Sequence, residues 1–124
     1  MTEKFSGEFK TCDKNRFLFL VIFEVDLYFL QIRIHFPKII FQLKSLKFLS
    51  FSVNYLKHIP SGIINVDSLE KLELDNNQLT KVPGVLLKMA NLKVLDVRGN
   101  KNLKENNNTI NMFRKKGVTV ITYS

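Results

Sequence analysis

The reading of this chain turns on Leu69-Glu70-Lys71-Leu72-Glu73-Leu74-Asp75-Asn76-Asn77-Gln78-Leu79-Thr80-Lys81-Val82-Pro83. Leu72 and Leu74 are separated by one polar residue, the period-two alternation of a strand with a single apolar face. Asn77 and Pro83 follow at positions where the chain must turn and then return without a backbone donor. The same order stands 23 residues earlier as Leu46, Leu49, Phe51, Asn54, Leu56, Ile59 and Pro60, and 23 residues later as Leu92, Leu95, Val97 and Asn100.

The offset organises more of the chain. Pro37, Pro60 and Pro83 are evenly spaced, and each follows an apolar residue: Phe36, Ile59 and Val82. Ile40, Ile63 and Leu86 form a column, as do Phe41, Ile64 and Leu87, and then Leu43, Val66 and Met89. The period lies in the range of repeats that build one strand and one return segment per turn. No such coil can bury its apolar face alone, so the leucines must stack against those of neighbouring coils. The apolar columns are therefore read as core that carries no chemistry. Asn54, Asn77 and Asn100 form a ladder of amides, each with donors and an acceptor to satisfy backbone groups at the turns. Removing one should cost about 1–3 kcal/mol.

The motif Leu-x-x-Leu-x-Leu-x-x-Asn-x-Leu, read at Leu69, Leu72, Leu74, Asn77 and Leu79, resembles the leucine-rich-repeat family. The resemblance is strong over residues 36–101. The 23-residue length and the apolar-Pro pair are similar to the cytoplasmic Ras-group subclass. It implies an α/β solenoid of roughly three to four coils, a short right-handed arc with a parallel sheet on its concave face.

The ends depart from the pattern. Residues 1–35 are expected to be an irregular N-terminal segment or a cap, and residues 36–124 the repeat domain. The repeat frame would place Asp26 and Tyr28 at inward strand positions. Val25, Leu27 and Phe29 alternate better but lie one residue off register. At the other end Asn106, Asn107 and Asn108 offer helix N-caps. Thr109 to Lys116 reads as a helix with Ile110 and Phe113 on one side and Gly117 as its stop. Val118 to Ile121 is read as a last strand, because Val118 lies 23 residues after Leu95 and Val120 lies 23 after Val97.

The composition, 45% hydrophobic in 124 residues, suits one folded domain and excludes pervasive disorder. The net charge of +8 is spread evenly, with 9 basic and 5 acidic residues in 1–62 and 10 and 6 in 63–124. Cys12 is the only cysteine, so the chain can form no internal disulfide, which points to a reducing, cytoplasmic setting. The longest purely apolar run near the start, Phe17 to Phe23, is too short to span a bilayer. An anchor through residues 17–36 is kept as an alternative, as is a fragment of a larger leucine-rich-repeat receptor or kinase.

Catalytic chemistry is not expected. His35 and His58 have no carboxylate near them in the repeat frame, Cys12 has no activating histidine, and no metal-ligand spacing or phosphate-cradling glycine motif occurs. No cofactor, metal or small-molecule substrate is implied. Asn107-Asn108-Thr109 matches a glycosylation acceptor, which matters only in a secreted protein.

The expected function is protein–protein interaction on the concave face. The residues pointing there are Phe48, Ser50 and Ser52, then Lys71, Glu73 and Asp75, then Val94, Asp96 and Arg98. The strip carries two cations against three carboxylates although the whole chain is basic. The basic residues are expected to scatter over the convex loops and the C-terminal helix, which disfavours nucleic acid; membrane is disfavoured too. Glu73 and Asp96 should sit side by side, where like charges destabilise a sheet and would be tolerated more readily if a partner's cation met them; the alternative is an exposed polar face with no partner. Reversing both charges should then weaken capture without unfolding the domain. By resemblance to the Ras-group proteins, the partner would be a signalling protein such as a small GTPase.

Overall fold

The computed structural model describes residues 4–12, 17–26, 38–104 and 108–122. Six strands form one sheet in sequence order: β1 (Lys4–Cys12), β2 (Phe17–Asp26), β3 (Phe48–Ser50), β4 (Lys71–Glu73), β5 (Val94–Asp96) and β6 (Thr119–Ile121). β1 and β2 pair antiparallel, and every later neighbour pair is parallel. Parallel pairing requires a crossover between strands. Here the crossovers are short: 3₁₀ helices at Lys38–Gln42, Ser61–Asn65 and Gly84–Lys88, again 23 residues apart.

The leucines explain the stacking. Leu49, Leu72 and Leu95 are partners on adjoining strands and are fully buried. Leu46, Leu69 and Leu92 are buried beside them, and Phe51, Leu74 and Val97 behind the strands. The prolines begin the returns. Pro60 and Pro83 have extended backbones (φ −68° and −64°) and their carbonyls accept from Ile63 N and Leu86 N, each at 3.2 Å. Proline suits this place because its missing N–H would have had no helical acceptor.

The asparagine ladder closes each bend. Asn77 Nδ2 donates to Phe51 O of the preceding coil (3.0 Å) and to Leu74 O of its own (3.1 Å), while its Oδ1 accepts from Leu56 N (3.0 Å). Asn100 repeats the set with Leu74 O, Val97 O and Leu79 N. Asn54 donates to Phe51 O and Ser52 O. All three amides are buried.

A second column emerges beside this one. Val53, Asn76 and Gly99 all have positive φ (57°, 55° and 69°). Glycine enters this region freely and asparagine tolerates it, but a β-branched residue is strained there. At Gly99 a side chain would also collide with Asn76, whose Oδ1 lies 2.2 Å from a constructed Cβ.

The ends correct the repeat frame. At the N-terminal side Val25 pairs with Leu49, one residue more than the repeat spacing. The described part of 1–35 is thus a hairpin joined to the sheet. Residues 17–26 are strand, and no described helix is long and apolar enough to cross a membrane. Tyr28, Leu27, Phe29, His35, Phe36, Pro37 and the Asn106-Asn107 caps lie outside the described residues.

At the C-terminal side the expected 23-residue register does not hold. Val120, not Val118, pairs with Leu95. The extra two residues are taken up by an α-helix, α1 (Asn108–Lys115), one residue earlier at each end than expected. An α-helix rises about 1.5 Å per residue against about 2.0 Å for a 3₁₀ helix, so the same crossing consumes more chain. An even offset preserves strand alternation, and Val118 and Val120 still face the core with Ile110 and Phe113. Gly117 (φ 93°) ends the helix with two bonds, Val118 N to Phe113 O and Gly117 N to Arg114 O, each 3.0 Å.

Two substitutions test these assignments. Asn77→Ala should lower unfolding free energy by about 1–3 kcal/mol in urea titrations, since it strands buried backbone groups of two coils. Val53→Asn should raise it by about 1 kcal/mol by relieving the left-handed strain; an unchanged or lower midpoint contradicts the strain.

Candidate functional site

The face of the sheet opposite the core is set by register. Phe48, Lys71 and Val94 lie side by side in one row, Ser50, Glu73 and Asp96 in the next. Ser52, Asp75 and Arg98 follow two residues further along. All nine residues expected on this face are therefore brought together, but they differ in accessibility. Lys71 is exposed; Phe48, Glu73, Asp75, Val94 and Arg98 are half-buried; Ser50, Ser52 and Asp96 are buried.

Internal bonds account for the buried ones. Ser52 Oγ lies 2.5 Å from Asp75 Oδ1 and 3.2 Å from Glu73 Oε2, and Ser50 Oγ lies 3.2 Å from the same Glu73 oxygen. Two hydroxyls thus serve two carboxylates on the neighbouring strand. Glu73 Oε1 also faces Lys71 Nζ at 3.3 Å, and the Lys71 ammonium sits 5.5 Å from the centre of the Phe48 ring, in cation–π range. Asp75 Oδ2 accepts from Asn76 Nδ2 at 3.0 Å.

Asp96 is the most enclosed charge. Arg98 grips it with Nη2 at 2.6 Å and Nε at 2.9 Å, and the Arg98 backbone N–H donates to it at 3.2 Å. The two residues are i and i+2 on one strand, so they share a face. Glu73 and Asp96 do lie opposite each other, as expected. Within the chain Lys71 already pairs with Glu73 and Arg98 with Asp96, which relieves their mutual repulsion. Charge reversal at Asp96 would therefore act on the sheet itself as well as on any partner. Asp96 is only 4% exposed, and reversing it would place two cations together inside the sheet face. Outside this face, the Lys93 ammonium, 2.7 Å from Glu70, holds the Glu70 carboxyl below its usual range and ties two successive coils.

Sequence reasoning missed two things here. The Asp96–Arg98 fork was visible as an acid and a base two apart on an alternating strand. The Ser50 and Ser52 hydroxyls become proton donors to Glu73 and Asp75 only once the register is known. The three asparagines of the ladder sit behind this face and serve the turns.

The row of Phe48, Lys71 and Val94 carries the apolar side chains of this face. Its two apolar side chains flank one cation, and the self-satisfied polar rows beside it form a fixed floor. Such a surface can dock a protein segment through apolar burial.

The two ion pairs should differ in weight. Arg98→Ala leaves a buried carboxylate without its cation and should destabilise by about 2 kcal/mol. Lys71→Ala removes a solvated pair and should cost about 0–1 kcal/mol. Equal losses in thermal unfolding would contradict the difference in burial.

Residues 68–89 match the family model described as Leucine Rich Repeat. No curated protein matches the chain. Among solved structures, a leucine-rich-repeat protein of Leptospira interrogans is similar at 34% identity and a TM-score of 0.59, covering 68% of this chain; the chain spans only 21% of that protein. The leucine-rich-repeat ectodomain of the receptor kinase SOBIR1 from Arabidopsis thaliana shares the fold at 19% identity and a TM-score of 0.58, covering 94% of this chain and 76% of that one. Folds of this kind typically serve as non-enzymatic modules that bind other proteins. Repeat motif, register and structural likeness agree: the chain is an α/β leucine-rich-repeat solenoid, in which the two 23-residue coils from β3 to β5 each have one strand, one asparagine-closed turn and one proline-led return.

Proposed function

We propose that this chain is a non-catalytic adaptor of intracellular signalling that holds another protein on its concave sheet face. The observation that carries the proposal is the row Phe48, Lys71 and Val94, two half-buried apolar side chains flanking an exposed cation, aligned by strand register beside hydrogen-bonded polar groups. Half-buried apolar residues on a rigid sheet lose little side-chain entropy on docking. They gain about 25 cal/mol for each Å² of apolar surface they cover.

The apolar-Pro repeats favour the Ras-group comparison, and the single cysteine favours a reducing, cytoplasmic compartment. On that reading the partner is a signalling protein, with a small GTPase as the first candidate by fold-level analogy. A complementary partner surface would present apolar side chains to Phe48 and Val94 and an acceptor to Lys71.

A photo-cross-linking amino acid placed at Val94 reports on this face, and one at Asn111, exposed on α1, reports on the other side. In cell extract the Val94 probe should give a discrete protein adduct that the Asn111 probe does not. Phe48→Asp combined with Val94→Asp in binding assays should weaken capture of that protein at least about tenfold, as expected for central apolar contacts. An adduct from Asn111 alone would place the partner elsewhere.

A further inference from the structure

Strand register fixes the spacing of the docking row. Phe48, Lys71 and Val94 are partners on β3, β4 and β5, and paired strands lie about 4.8 Å apart. The row therefore runs across the strands and spans about 10 Å from Phe48 to Val94. β6 extends it by one step, because Thr119 pairs with Val94 and is exposed. On the footing that the concave face holds the partner, we propose that the element docked on this row is an α-helix of that partner. It lies across the strands and carries one acidic residue between two apolar ones at helical spacing.

Spacing selects the helix. Residues three or four apart on one helix face lie about 5–6 Å from each other, and seven residues advance the chain by about 10.5 Å. Positions i, i+4 and i+7 thus fall over Phe48, Lys71 and Val94 in turn. An extended segment presents alternate residues about 6.7 Å apart, so three of them cover about 13 Å and overshoot the row. A partner sheet would match the strand spacing, but it would also lie on the next row. There Ser50, Glu73 and Asp96 are hydrogen-bonded or ion-paired within the chain and offer it no apolar surface. A helix has only a narrow apolar stripe to bury, and one row suffices for it.

Charge decides the middle position. The Lys71 side chain is 46% exposed, and Glu73 Oε1 meets its ammonium from one side at 3.3 Å. The Phe48 ring lies 5.5 Å from the same nitrogen. Among the described residues no other acid reaches it. An ammonium has three donors, so this one keeps donors for a second carboxylate. Phe48 and Val94 on either side are half-buried and already held. Their contacts with the helix would keep water from the new pair. A basic residue at the middle position would meet the lysine as a like charge.

Fluorescence anisotropy of the full chain with two labelled peptides of equal length and charge tests the helix. One is lactam-stapled as a helix, with leucine, glutamate and leucine at i, i+4 and i+7. The other is unstapled and carries the same three residues at alternate positions of a β-branched sequence. The stapled peptide should bind at least about tenfold more tightly. Lys71→Glu should weaken it about tenfold or more, and exchanging the peptide glutamate for lysine should restore the loss. Lys71→Met, which adds no second acid beside Glu73, should abolish the preference for the glutamate peptide over the lysine one. Retained thermal unfolding of each variant separates these losses from misfolding. Equal or tighter binding of the extended peptide, no binding of either peptide, or no rescue by the lysine peptide would each overturn the helix. The Val94 cross-link keeps the two levels apart. An adduct that forms while the stapled peptide fails leaves a partner on this face without a helix, and failure of both removes the face as well.

Discussion

Asn77 divides one side-chain amide between two coils. Its donor reaches backbone carbonyls of both, and its acceptor takes the Leu56 N–H of the coil before. The repeat strands β3, β4 and β5 are only three residues long. Such strands supply few ladder bonds, so each bend must find its partners elsewhere. The amide provides them without solvent, and in doing so it fixes the rise from one coil to the next. Stacking of Leu49, Leu72 and Leu95 follows from that rise, and the buried interior follows from the stacking. Everything on the outer faces is placed by the same repeat.

That placement sets the chemistry of the sheet face. On the sheet face, neighbouring strands bring Ser50 and Ser52 to Glu73 and Asp75, and Arg98 folds over Asp96. The polar groups there are largely consumed by one another, which leaves Phe48 and Val94 as the adhesive part.

Much of this was legible in the sequence. Leucine, asparagine and proline columns at a fixed spacing define the core, the bends and the returns, and residues 46–100 follow them throughout. Spacing alone could not reveal where the period changes. A five-residue 3₁₀ return and an eight-residue α-helix cross the same distance with different amounts of chain, so the register of Val120 depended on helix type. The one-residue slip at Val25 was visible as better alternation, though not its pairing partner. Parity placed Phe48, Lys71 and Val94 in one row, whereas the burial of Ser50 and Asp96 depended on contacts across and along strands. The left-handed column had a signal in Asn76 and Gly99, and Val53 disguised it.

The central claim is that residues 23 apart become neighbours on parallel strands. Cross-strand nuclear Overhauser effects measure this directly in solution. The account predicts backbone contacts linking Leu49 to Leu72 and Leu72 to Leu95, flanked by contacts in the same parallel register. Antiparallel patterns, or contacts between residues at any other spacing across residues 48–96, would contradict it.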